Sequence, residues 1–368
     1  MSFLDRITKT QSKSEETLVA LKNSGLPLIL WGCGGCANHV YSFLKKHSII
    51  LSGVFVDVET NVKEFHGLKV STLDEISAEF GLYNVIVGHL RGYTRMIDLE
   101  QRVNCIKNVF SIDVELLYQN VFEYIDNEYI SQNAKAFEWT YNQLADDLSK
   151  ESYLTYLNAK VNKDFKDIIP LVYDNQYFFD DIIRLTPNEV FVDCGAFTGD
   201  TVDAFINTLK KHAVQTFKSI YAFEPDVDNF TKLCLLSKKY PNMHCINKGA
   251  WSEQTSLRFD SEGTTSSVAS SSGETIVEVD TIDNILLGGE ATFIKMDIEG
   301  AELNALKGAE QTIRKYKPRL AICVYHKSDD LITIPQYIKT LAPEYKLYFR
   351  LHDYGTCEAV LYAVVYDK

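Results

Sequence analysis

Asp193, Glu224, Asp297, Glu299 and His326 are the side chains whose type and placement suggest chemistry. Each follows a short apolar run that reads as a buried strand. Val190-Phe191-Val192 leads to Asp193, and Ile220-Tyr221-Ala222-Phe223 leads to Glu224. Ala291 to Met296 leads to Asp297 and Glu299, and Pro318 to Tyr325 leads to His326. In an open α/β sheet the carboxyl ends of the strands line one crevice, and ligands bind there. An acid at the end of the second strand can accept two hydrogen bonds from a ribose diol. A carboxylate and an imidazole on the same rim can move a proton, and histidine's ordinary pKa near ~6.5 suits a base working near neutrality. We therefore expect His326 or Asp297 to be the base. The plainer role for Asp297 and Glu299 is to fix the following helix N-terminus.

The turn that joins Asp193 to the next helix is Cys194-Gly195-Ala196-Phe197-Thr198-Gly199-Asp200. Glycine there allows backbone to approach a nucleotide-like ligand. The turn is looser than the Gly-x-Gly-x-x-Gly loop that grips a pyrophosphate, so it suits a nucleoside without phosphates. An acidic crevice favours a ligand with cationic groups, and S-adenosylmethionine carries an amine and a sulfonium. Asp193, Gly195, Phe197, Thr198, Glu224, Pro225 and Asp297 are its expected contacts, with Trp251 or Ser252 beside the adenine. Asp297-x-Glu299 could also hold Mg²⁺ with waters, although no third ligand is evident.

The elements that must position these groups alternate regularly. Helices are expected over Val227 to Lys239, Ile282 to Leu287, Ala301 to Lys315 and Ile334 to Leu341. Further strands are expected over His244 to Ala250, Tyr345 to Leu351 and Ala359 to Val365. Short βα connections require right-handed crossovers and a mostly parallel sheet, and the last two strands are close enough to form an antiparallel hairpin. Residues 255–280 are rich in Ser and Thr and read as a β-hairpin insertion, mobile at Ser266 to Gly273.

The earlier part of the chain repeats the strand–glycine–helix–strand–acid pattern. Leu26 to Trp31 leads into Gly32-Cys33-Gly34-Gly35-Cys36-Ala37, which fits G-x-G-x-x-A, and Gly53-Val54-Phe55-Val56-Asp57 closes on an acid at the spacing expected of a ribose-binding carboxylate. Leu68 to Ser71, Asn84 to Gly88 and Val109 to Ile112 read as later strands. Residues 1–118 thus form a small Rossmann-like domain, residues 119–184 a helical connector, and residues 185–368 the main α/β domain. The connector ends in Tyr173-Asp174-Asn175-Gln176-Tyr177-Phe178-Phe179-Asp180-Asp181, an aromatic and acidic stretch placed to cover the cofactor or the acceptor, or simply to pack between domains.

Composition narrows the function classes. The 368 residues carry 37 Lys and Arg against 50 Asp and Glu, a net charge of −13, with no basic run. That argues against an electrostatic grip on nucleic acid or an anionic membrane. The N-terminus shows no apolar signal core, and no stretch approaches the ~18 apolar residues of a membrane span. The eight cysteines are scattered, which suits reduced thiols and a cytoplasmic protein. Cys33-Gly34-Gly35-Cys36 lacks the second pair or thioredoxin-like context that a metal or redox role would need.

The later motifs carry a resemblance. Val192-Asp193-Cys194-Gly195-Ala196-Phe197-Thr198-Gly199-Asp200-Thr201, Ala222-Phe223-Glu224-Pro225-Asp226 and Ile294-Lys295-Met296-Asp297-Ile298-Glu299-Gly300-Ala301-Glu302 are joined by Leu306-Lys307-Gly308-Ala309. Lys317-Pro318-Arg319-Leu320-Ala321-Ile322, Tyr325-His326-Lys327 and Ile334-Pro335 agree as well. Over roughly residues 185–368 the chain resembles the FkbM family of S-adenosylmethionine-dependent methyltransferases. Met296 departs from the isoleucine or valine more usual there. The resemblance implies a class I methyltransferase fold, with a seven-stranded, mostly parallel sheet, and O-methylation of a hydroxyl on a sugar, glycan or polyketide-type product. Tyr177, Phe178, Glu299 and His352 are then the expected acceptor contacts.

Ile29-Leu30-Trp31-Gly32-Cys33-Gly34-Gly35, Gly53-Val54-Phe55-Val56-Asp57 and Gly67-Leu68-Lys69-Val70 resemble the N-terminal nucleotide-sugar-binding domain of bacterial sugar acetyltransferases. That likeness implies a nucleotide-linked sugar held by Gly32, Gly34 and Asp57. The alternative uses of this domain are support or homodimerisation. Two other functions stay open at this point: an NAD-dependent oxidoreductase working through residues 32–57, and a non-catalytic binding or scaffold protein with a vestigial cofactor site.

Overall fold

The computed structural model describes residues 3–7, 13–89, 99, 104–112, 125–259, 275–353 and 357–366. The expected mobile segment Ser266–Gly273 lies outside them. Two compact units emerge. The first comprises Met1–Gln132, Leu154–Val172 and Asp353–Cys357, and the second Asn133–Tyr153, Tyr173–His352 and Glu358–Lys368.

Unit 1 is built on six strands, β1 (Leu28–Trp31), β2 (Gly53–Phe55), β3 (Glu64–Phe65), β4 (Leu68–Ser71), β5 (Tyr83–Val87) and β6 (Ile106–Phe110), in the order β3-β4-β2-β1-β5-β6. All neighbours are parallel except β3 with β4. The strand order reverses direction at β1, so the glycine turn after Trp31 sits at a switch point. The helix Gly35–Lys46 begins directly on that turn and buries Ala37, Val40 and Leu44. A second helix, Leu73–Phe80, starts with a capping box between Thr72 and Glu75, which satisfies two backbone donors at once.

Unit 2 carries β7 (Val190–Cys194), β8 (Ser219–Phe223), β9 (Met243–Ile246), β10 (Gly249–Ala250), β11 (Thr255–Phe259), β12 (Thr275–Asp280), β13 (Phe293–Met296), β14 (Arg319–Cys323), β15 (Lys346–Leu351) and β16 (Ala359–Val364). Seven of these form the main sheet, in the order β15-β16-β14-β13-β7-β8-β9. The pairs from β9 to β14 are all parallel, and β16 is antiparallel to both its neighbours. This is the class I methyltransferase arrangement, with the last strand inserted beside the fifth. The expected third strand over His244–Ala250 divides in two. Met243–Ile246 joins the main sheet, whereas Gly249–Ala250 pairs with β12 in a separate three-stranded sheet that also holds the β11–β12 hairpin.

The core of unit 2 is aromatic. Phe191 stacks on Phe205 and Phe293 at centroid distances of 4.7 and 5.2 Å, and Phe178 meets Phe293 edge-on at 5.6 Å. The helix Asp200–Lys211 turns Val202, Phe205, Ile206 and Leu209 into this core, a spacing that builds one apolar stripe. Each large ring removes 150–250 Å² from water, so the stack fixes β7, β13 and this helix together. Among the described residues no helix is long and apolar enough to cross a membrane, and all eight cysteines are free thiols.

Candidate active site

Parallel register aligns the tips of β7, β8 and β13. Asp193 is opposite Lys295 on β13 and Ala222 on β8. Lys295 is 1% exposed, and its Nζ lies 3.1 Å from Asp193 Oδ1 while donating to the carbonyls of Gly195 and Cys194 at 2.7 and 3.2 Å. A buried charge persists only when paired and hydrogen-bonded, and this ammonium is both. Asp193 has the opposite problem. It is fully buried, neither oxygen accepts a hydrogen bond, and burial pushes its pKa up to about 6 despite Lys295.

The turn after β7 is as tight as sequence suggests. Gly195 has φ +80°, and a Cβ there would sit 2.0 Å from the carbonyl oxygen of Asp297, so no other residue fits. Phe197 follows with φ 47°, and its side chain is exposed. Glu224 closes over this turn. Its carboxylate accepts from the backbone N–H groups of Phe197 (2.8 Å) and Asp226 (2.9 Å), and burial raises its pKa to about 7. Thr198 is partly exposed in the same turn. Pro225 follows Glu224, its carbonyl accepting from Asn247 at 3.2 Å.

At the β13 and β14 tips the carboxylate of Asp297 is held from several sides. Tyr177 Oη donates to Oδ2 at 2.7 Å, Tyr325 Oη donates to Oδ1 at 3.2 Å, and His326 Nε2 lies 3.4 Å from Oδ1. Burial alone would raise the Asp297 pKa, but the charges of Lys295 and His326, with the Tyr177 hydroxyl, hold it below the usual value. His326 is surrounded by acids: Glu302 Oε1 is 2.9 Å from Nδ1, and Glu299 Oε2 is 3.5 Å from Nε2. Burial would lower its pKa, yet these carboxylates raise it to about 10. The expectation of a near-neutral histidine base at 326 therefore fails on electrostatic grounds. At neutral pH the ring is an imidazolium that keeps Asp297 ionised.

Tyr177 is the residue that the aromatic run of 173–181 contributes to this centre. It adopts φ 64°, and a hydrogen-bond relay maintains that conformation. Its N–H donates to Tyr362 Oη (3.0 Å), Tyr362 Oη meets His352 Nε2 (2.8 Å), and His352 Nδ1 meets the Tyr173 carbonyl (2.6 Å). A carbonyl only accepts, so Nδ1 carries the proton and Nε2 accepts from Tyr362. Burial pushes the His352 pKa down to about 4, which keeps that tautomer neutral. His352 thus stands behind Tyr177 and sets its position, instead of facing an acceptor directly. Phe178 belongs to the core described above, at 3% exposure.

Tyr177 also lines a cavity of about 410 Å³. Asn175, Gln176, Asp200, Thr201, Asn207 and Lys211 contribute polar groups to a wall that also carries Tyr177 and Phe178. Trp251 is partly exposed beyond β10, where its backbone N–H bonds the Asp280 carbonyl at 2.9 Å and its own carbonyl leaves no room for a Cβ on Gly308. In unit 1, Gly32 has φ +116° and lies against Gly88 and His89, while Gly34 and Gly35 have open space around them and Asp57 is exposed. Lys295, Tyr325, Glu302 and Tyr362 were not among the residues expected from sequence. Lys295 had a signal, since a lysine inside Phe293-Ile294-Lys295-Met296 requires a buried counter-charge. Tyr325 and Glu302 stand inside the motifs that carry the resemblance, whereas Tyr362 had no signal.

Comparison with known proteins agrees with the fold. Residues 193–354 match the family described as the methyltransferase FkbM domain. No curated protein matches the chain. Among solved structures, the FkbM methyltransferase of Methylobacillus flagellatus KT is similar over 96% of this chain and 94% of that one, with a TM-score of 0.70 and 23% identity. An rRNA methylase from Streptococcus thermophilus aligns over 50% of this chain and 90% of its own (TM-score 0.32, 14% identity). Fibrillarin from Aeropyrum pernix, solved with natively bound S-adenosyl-L-methionine, aligns over 51% and 72% (TM-score 0.32, 14% identity).

Proposed function

Because residues 193–354 are an FkbM methyltransferase domain, we propose that this methyltransferase uses S-adenosylmethionine and acts on a hydroxyl of a sugar, glycan or nucleotide-linked sugar. The observation that carries the reading is the acidic rim at three neighbouring strand tips: Asp193 without a hydrogen bond, Glu224 buried over the glycine turn, and Asp297 ionised beside the tyrosines. The residues fit the cofactor. Backbone donors occupy two acceptor positions of Glu224, and a carboxylate has about four, so it retains capacity for a ribose diol. Gly195, Phe197 and Thr198 form the turn beside it, and Asp193, whose Oδ1 pairs with Lys295, keeps Oδ2 without a partner among the described residues.

When bound, the cofactor supplies an electrophilic methyl group on sulfur. The protein must aim an acceptor oxygen at it, exclude water and remove a proton. Holding the reactants in line can be worth about 7–11 kcal/mol. Asp297 is the proton acceptor, held ionised by Lys295 and His326 and oriented by Tyr177 and Tyr325. Asn175, Gln176 and Asn207 on the wall of the cavity beside Tyr177 offer hydrogen bonds to a polyhydroxylated acceptor. Gly32, Gly34 and Asp57 support a second element of the proposal, nucleotide binding by unit 1 in its own right. Its basis is a glycine turn at a strand-order switch leading directly into a helix N-terminus.

Methyl-labelled S-adenosylmethionine incubated with a panel of sugars and nucleotide sugars tests the proposal. Label is expected on a hydroxyl, with S-adenosylhomocysteine formed in equal amount. An absence of both products across the panel, with cofactor binding intact, counts against the sugar acceptor. An absence of cofactor binding counts against the whole reading.

A further inference from the structure

Two hydrogen bonds in series join the cavity wall to Asp297. Gln176 lines the cavity, and its Nε2 donates to Tyr177 Oη at 2.9 Å and to Glu358 Oε2. Tyr177 Oη in turn donates to Asp297 Oδ2 at 2.7 Å. We propose that Gln176 is a specificity-determining and positioning residue: its Oε1 accepts a hydrogen bond from an acceptor hydroxyl in the cavity, and its Nε2 fixes the Tyr177 hydroxyl on Asp297. The inference rests on the sugar-methylating reading above.

The partners of the amide set its orientation. A primary amide has two N–H donors and one carbonyl oxygen. The Glu358 carboxylate accepts, so the nitrogen must face it, and a flipped amide would set carbonyl oxygen against carboxylate. With one N–H on Glu358 and the other on Tyr177, both donors are engaged. Oε1 accepts no hydrogen bond among the described residues. A wall group with only a carbonyl oxygen to offer selects a ligand that donates. A sugar hydroxyl does so, whereas an ether or a deoxy position does not.

The same amide decides where the Tyr177 proton points. The Tyr177 side chain is buried, and its hydroxyl lies between Gln176, Asp297 and the Cys323 thiol, 3.7 Å away. The Gln176 N–H occupies one lone pair of that oxygen. The single hydroxyl proton is left for Asp297, whose charge makes it the stronger acceptor. Other groups also face Asp297: Lys295 and Glu299 on its own segment, Asp193 from β7, Cys323, Tyr325 and His326 from β14 and its tip, Glu302 from the next helix, and Glu358 ahead of β16. Gln176 bonds Glu358 from that set and Tyr177 beside it. A substitution at 176 therefore reaches Asp297 through one or the other.

The test uses the full chain and an acceptor taken from the labelling panel. Gln176→Leu removes both hydrogen-bonding functions. Its affinity for S-adenosylhomocysteine is expected within twofold of the parent. KM for the acceptor should rise about 3- to 10-fold, the range of one neutral hydrogen bond. The acidic limb of the kcat profile should move up by about half a unit, because a carboxylate that loses a donor ionises less readily. In a Tyr177→Phe background Gln176→Leu should add no further shift of that limb, while its effect on KM persists. Gln176→Met, unbranched and of similar length, serves the same purpose if the leucine variant fails to fold. An unchanged KM overturns the specificity role. A limb that stays in place overturns the positioning role, and so does an equal shift in the Tyr177→Phe background, which routes the effect through the charge of Glu358. Loss of S-adenosylhomocysteine affinity would make residue 176 structural and overturn both. A parent protein that turns over nothing in the panel removes the sugar reading and this inference with it, an outcome distinct from any change at 176.

Discussion

Asp57 and Glu224 occupy corresponding places in the two sheets: each follows the second strand, one helix after a glycine turn. Asp57 is exposed, whereas Glu224 is 6% exposed and accepts from the turn backbone. The glycines differ in the same way. Nothing lies within 4 Å of a Cβ built on Gly34 or Gly35, whereas one on Gly195 collides with the Asp297 carbonyl. The strand on the other side of each turn makes the difference. In unit 2, β13 brings Lys295 under Asp193 and Asp297 against Gly195. In unit 1, β5 brings Gly88 and His89 against Gly32. One sequence pattern thus specifies a strand–turn–helix in both places, and the neighbouring strand determines how much charge is buried there.

The largest effect that separates the two turns should come from alanine. Gly195→Ala combines a clash with a left-handed φ and is expected to cost at least ~3 kcal/mol of stability in urea unfolding, with loss of cofactor binding. Gly34→Ala should stay within ~0.5 kcal/mol. Next, Asp297→Asn removes the proton acceptor and should lower kcat by roughly 10²–10⁴-fold while S-adenosylhomocysteine still binds. Asp57→Asn should leave kcat unchanged and alter only the KM of a nucleotide-linked acceptor. A kcat loss at Asp57 would undo the comparison.

Glu224→Gln should weaken cofactor binding by about 1.5–3 kcal/mol in calorimetry, and Asp57→Asn should not weaken it at all. The smallest effect is a pH trend. Burial pushes the Glu224 pKa up to about 7 in the folded chain from an ordinary value of 4.5, so the folded state retains a proton that the unfolded state has released across that window. Stability contributed by this group therefore falls as pH rises from about 4.5 to 7. The stability of Glu224→Gln relative to the parent should rise over the same interval and level off above it. A flat difference between the two melting series would show that the carboxylate is not desolvated as the structure places it.

The frame was legible from the chain. The apolar runs before Asp193, Glu224 and Asp297, the glycine turn and the closing hairpin all lie where period and punctuation put them, because strands and turns are specified by residues close in sequence. The helices over Ala134–Gln143 and Asp147–Asn162 were legible through their apolar spacing. The split of the third strand was not. Met243–Ile246 and Gly249–Ala250 form one apolar stretch in sequence, and only the choice of pairing partner divides them between sheets.

By itself the sequence determined which residues stand at the strand tips and therefore that acids would share one rim. Tertiary structure alone decided what those acids became. His326 reads as a neutral-range base in isolation, and three carboxylates from other positions convert it to a cation. His352 reads as an acceptor contact, and burial behind Tyr362 makes it the neutral end of a relay that sets Tyr177. Residue type and order are local properties, but protonation depends on every charge within a few ångströms and on the water excluded around it. Those quantities exist only once distant segments have packed together.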